Sequence, residues 1–69
     1  MEKYDSYYVN DIAQSTGEHE VHKAGCSFFP SKHTYLGEFI HCRDAVKKAR
    51  DYYDYVDGCA YCSPDCHTK

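Results

Sequence analysis

The chain has 69 residues, with eleven Asp and Glu against eight Lys and Arg, five Cys, eight Tyr, three Phe and no Trp. That length makes one domain, with its core over about residues 6–62, and leaves no room for a second. A net charge of −3 gives no basic footprint for nucleic acid, and no apolar run approaches the roughly 20 residues of a membrane-spanning helix.

In chain order, Tyr7, Tyr8 and Val9 predict a first strand over 6–9, because aromatic and β-branched residues suit a pleated surface. Residues 10–17 read as a polar loop, with Ile12 pinning it to the core. A second strand over 18–23 follows and forms a hairpin with the first. Its alternation puts His22 on the face opposite Val21. Gly25 permits a tight turn before Cys26, Phe28 and Phe29 read as core or as a lid over a site, and Pro30 ends the segment. A third strand spans 34–40, where Gly37 signals a bulge.

One helix is expected over about 42–54. Cys42, Ala45, Val46, Ala49, Tyr53 and Val56 recur with helical period, and Asp44 and Lys48 form an i,i+4 pair on the solvated side. Gly58 then stands as a helix stop or a knuckle glycine. The fold class is α+β: a small metal-stabilised domain with a two- to three-stranded antiparallel sheet, one helix and a C-terminal Cys-x2-Cys knuckle.

A chain this short buries only about 60% of its unfolded surface, so natural domains of its size add a disulfide or a metal. The start Met1-Glu2-Lys3-Tyr4-Asp5 is polar and does not read as a signal peptide. The expected compartment is therefore the cytoplasm, where thiols stay reduced and cysteine clusters bind metal rather than each other. The ligand pattern is His22-x3-Cys26 and Cys59-x2-Cys62, which supplies four nitrogen and sulfur donors for one structural Zn2+. Cys66 or His67 is an alternative to His22. Cys42 reads as a small buried hydrophobe of the helix stripe, and His19, His33 and His41 as surface or capping groups. A redox dithiol at Cys59 and Cys62 is disfavoured, because the pair follows the helix instead of opening one.

His22-x3-Cys26, Tyr35-x3-Phe39, Ala45, Ala49 and Cys59-Ala60-Tyr61-Cys62 together resemble the zinc-binding domain of Ada-type DNA-methylation repair regulators. The chain is also similar to short bacterial proteins ending in Gly-Cys-x2-Cys-x-Pro-x-Cys-His. The first resemblance implies a treble-clef-like zinc knuckle and an accessory role at nucleic acid. Arg43, Lys47 and Arg50, with Lys48 nearby, cluster on one side of the helix, but Asp44, Asp51 and Asp54 interleave them and the face reads first as a solvated one. His22 stands where that family carries the thiolate that accepts a methyl group, so the expectation is a binding module, not an enzyme. The partner is a protein or a nucleic acid, with no membrane, and the chain is expected to be a monomer.

Overall fold

The computed structural model describes residues 3–68; Met1 and Glu2, part of the start read against a signal peptide, and the terminal Lys69 lie outside the described residues. The fold is α+β. Strands β1 (Asp5–Asn10), β2 (His19–Lys23) and β3 (His33–Phe39) precede helix α1 (Cys42–Ala49), strand β4 (Val56–Gly58) and a 3-10 turn (Pro64–Cys66). The sheet runs β3-β1-β2-β4. β1 is antiparallel to β2 and to β3, as expected, but β2 and β4 are parallel, so the sheet is mixed and has four strands. Val56-Asp57-Gly58 is too short to show alternation, which is why the fourth strand left no period in the sequence.

The pleat sorts the side chains. Val9 and Val21 are cross-strand partners, fully buried with Tyr7 and Leu36 against Ala45, Val46 and Ala49 of α1. Tyr8 and His22 are the alternate cross-strand pair and so occupy the sheet face away from the helix. The bulge announced by Gly37 is present: Tyr7 pairs with Gly37 and Tyr8 with Tyr35, leaving Leu36 as the extra residue. It delivers Leu36 to the core, where the side chain is 6% exposed. Two of the seven core residues are alanines, Ala45 and Ala49, with little surface to bury. The core is thin for its chain length, and the fold carries two further ties.

α1 stops at Ala49 instead of reaching residue 54. Beyond it, Asp51 N–H donates to Lys48 O at 3.0 Å and Tyr52 N–H to Ala49 O at 3.0 Å, three residues back, which tightens the chain out of the α-helix. Tyr53 has better partners elsewhere. Its hydroxyl donates to Asp11 Oδ1 at 2.9 Å and its ring stacks on His19 at 3.6 Å. Tyr53 and Val56 still pack on the core, but from a turn and from β4. Lys48 pairs with Asp51 at 3.4 Å, not with Asp44. Ile12 does not pin its loop: it is 58% exposed, and Asp11 does that work, accepting from Thr34 Oγ1 at 2.7 Å as well as from Tyr53.

The first tie corrects the reading of Cys42. Cys42 is not a free thiol; it forms a disulfide with Cys66, with Cα atoms 6.3 Å apart. The first turn of α1 faces the 3-10 turn at that distance, within the ordinary range for a bridge. The bond therefore staples the helix to the C-terminal segment.

Gly58 shows how tightly that segment sits. A Cβ there would lie 2.7 Å from Cys66 Cβ, 2.8 Å from the Cys66 carbonyl carbon and 2.9 Å from Ser63 O. Two of these are backbone atoms and cannot step aside cheaply. Gly58→Ala is expected to cost at least about 1–3 kcal/mol, the usual range for overpacking. Urea unfolding of the purified variant measures it, and an unchanged midpoint would contradict the close approach.

Candidate metal centre

The parallel pairing of β2 and β4 creates the site. Neighbouring strands that run the same way deliver their following turns to the same end of the sheet. β2 ends at Lys23 and leads to Cys26; β4 ends at Gly58 and leads to Cys59 and Cys62. An antiparallel β4 would have sent the second turn to the opposite end. The pairing extends one residue past β4, with Cys59 N–H donating to Val21 O at 3.0 Å.

Each turn is built for its role. In the first, Gly25 takes φ 86°, a left-handed conformation that side chains disfavour. Cys26 N–H donates to Lys23 O at 3.2 Å and Phe29 N–H to Cys26 O at 3.1 Å. In the second, Ser63 N–H donates to Cys59 O at 2.8 Å. The two turns are also bridged by their rings: Phe28 and Tyr61 stack with centroids 4.2 Å apart, although both remain mostly exposed.

One ligand atom from each of His22, Cys26, Cys59 and Cys62 lies within 4.8 Å of all the others, close enough to hold a metal ion. Cys26 Sγ and Cys59 Sγ are 3.9 Å apart, as are Cys62 Sγ and His22 Nδ1. Metal–sulfur bonds of about 2.3 Å at a tetrahedral angle require sulfurs about 3.8 Å apart. Nδ1 is therefore the imidazole nitrogen turned to the cluster. His22 and Cys59 are each 1% exposed, while Cys26 and Cys62 are half-buried.

The electrostatics suit a cation. Burial pushes the Cys62 thiol up to about 12, opposed by the Lys23 N–H that donates to its sulfur at 3.3 Å and reinforced by the Cys26 and Cys59 sulfurs. Burial pushes His22 down, which keeps the imidazole neutral and its lone pair free. A divalent ion held by these sulfurs would displace their thiol protons, the raised Cys62 proton included.

The alternatives to His22 are otherwise engaged. Cys66 is in the disulfide. His67 places Nδ1 3.0 Å from Gly58 O and 3.3 Å from Asp57 Oδ2, where it secures the C-terminal segment. Asp57 Oδ1 accepts from Thr68 N–H at 2.9 Å and from Thr68 Oγ1 at 3.0 Å. Sequence reasoning missed Asp57; a lone acid before a knuckle glycine gives no signal of burial, yet it is 2% exposed.

The remaining histidines fall outside the cluster. His19 is half-buried under Tyr53, His33 stands at the edge of a ring cluster with Tyr8 and Phe29, and His41 is the helix N-cap without a side-chain bond. Phe29 lies against both Tyr8 and His22. Arg43, Lys47, Lys48 and Arg50 are exposed along α1. Among the described residues, no helix is long and apolar enough to cross a membrane. No protein-family model, curated protein or solved structure matches the chain.

Proposed function

We propose that the chain is a structural zinc module acting as a small interaction or regulatory protein. The observation that carries this is the set of three sulfurs and one imidazole nitrogen, drawn from strand β2 and two turns and gathered within 4.8 Å. Thiolate and imidazole donors in a tetrahedral set select zinc over the harder divalent ions. Four protein ligands leave no open coordination position for substrate, so the ion folds the protein instead of catalysing.

The order of ligands is the one the likeness to Ada-type repair modules implies. His22 in place of the accepting thiolate supports a relative that has kept the knuckle without methyl transfer. Beside the ion, Phe28 and Tyr61 present a stacked pair, 57% and 72% exposed. Large exposed rings of this kind are enriched in protein interfaces, and they favour a protein partner over nucleic acid for a chain of net charge −3.

Metal analysis of the purified chain tests the proposal. One zinc per chain is expected, bound with release of about three thiol protons at neutral pH. Alanine at His22, Cys26, Cys59 or Cys62 should lower the metal content, and His67→Ala should not. A wild-type chain that takes up no zinc, or a His67 variant that loses it, would refute the assignment.

A further inference from the structure

A metal on Nδ1 of His22 fixes the ring as the Nε2–H tautomer, because a neutral imidazole carries one proton. That proton points into the protein. His22 is 1% exposed, and its Nε2 is buried with no hydrogen-bond partner. A buried donor left without an acceptor is costly. Metal-ligating histidines almost always give this proton to a carboxylate, a carbonyl or a water.

A carboxylate acceptor stands within reach. Glu20 Oε1 is 3.5 Å from His22 Nε2, with the Glu20 side chain 20% exposed. Glu20 and His22 sit two apart on β2, so the pleat aims both at the same face. Gln14 and Glu20 line the same pocket as His22. The neighbouring buried carboxylate, Asp57, is committed to Thr68 and His67.

We propose that Glu20 is the positioning residue of the metal centre: its carboxylate accepts the Nε2 proton of His22 and holds Nδ1 on the ion. This rests on the zinc reading above. A small rotation of the Glu20 side chain brings 3.5 Å to the about 2.8 Å of a charge-assisted bond. The bond fixes the tautomer, sets the ring plane and makes the imidazole a stronger donor.

Zinc affinity by chelator competition and 15N-resolved NMR of the His22 ring test this together. Glu20→Leu, which removes the acceptor, should weaken zinc binding about 10- to 100-fold, and Glu20→Gln, which keeps one, should recover most of it. In the zinc-loaded wild type the His22 Nε2 proton should be seen and exchange slowly with water. In the Leu variant it should exchange fast. A Leu variant that binds zinc as tightly as wild type, or a wild-type Nε2 proton that exchanges freely, would overturn the role of Glu20 while leaving the metal centre standing. A wild-type chain that binds no zinc would overturn both. The wild-type proton signal decides the matter even if the Leu variant does not fold.

Discussion

Stripping zinc with a chelator is expected to unfold the chain cooperatively. Structural zinc contributes an apparent 10–16 kcal/mol or about that in small finger domains at neutral pH, whereas a whole domain is stable by only about 5–15 kcal/mol. The apolar core here is Tyr7, Val9, Val21, Leu36, Ala45, Val46 and Ala49, and two of those seven are alanines with little surface to bury. An ion held by His22, Cys26, Cys59 and Cys62 would join β2 to the turns after β2 and β4, so its loss would free both turns and weaken the β2–β4 pairing at Cys59. Amide NMR dispersion should collapse as chelator is added and return with zinc in excess. A dispersed spectrum retained at excess chelator would mean that the core and the disulfide suffice.

Breaking the Cys42–Cys66 bond is the second large effect. The bridge spans 24 positions, for which the loss of loop entropy in the unfolded chain corresponds to about 3–4 kcal/mol. The paired substitution Cys42→Ala with Cys66→Ala should lower the unfolding free energy of the zinc-loaded protein by that amount, read as a fall in the urea midpoint. Alkylation provides an independent check. Denatured, metal-free chain should offer three thiols, Cys26, Cys59 and Cys62, before reduction, and all five afterwards. Five reactive thiols before any reductant would show that the bridge does not form.

The four clustered residues were legible because metal chemistry demands few residue types at short spacing. His22-x3-Cys26 and Cys59-x2-Cys62 carry that signal without any tertiary information. The first three strands and the start of α1 were legible from alternation and helical period, and Gly37 from its place inside a strand. What escaped depended on long-range pairing. Cys42 matches the apolar stripe of the helix as well as any hydrophobe does, and nothing local says that Cys66 will sit 6.3 Å away, Cα to Cα. Tyr53 continues the stripe too. Only Asp11 and His19, far away in sequence, draw it off the helix. β4 is three residues long and exists because β2 lends it partners.

That same parallel neighbour sets the order in which the molecule is made. Along the chain, β1, β2, β3 and α1 all precede residue 56, and up to that point only His22 and Cys26 of the four clustered donors are present. Closure joins segments well separated along the polypeptide, and such non-local steps come late in folding. A chain cut short ahead of Cys59 is therefore expected to hold a pair of donors too few to retain an ion.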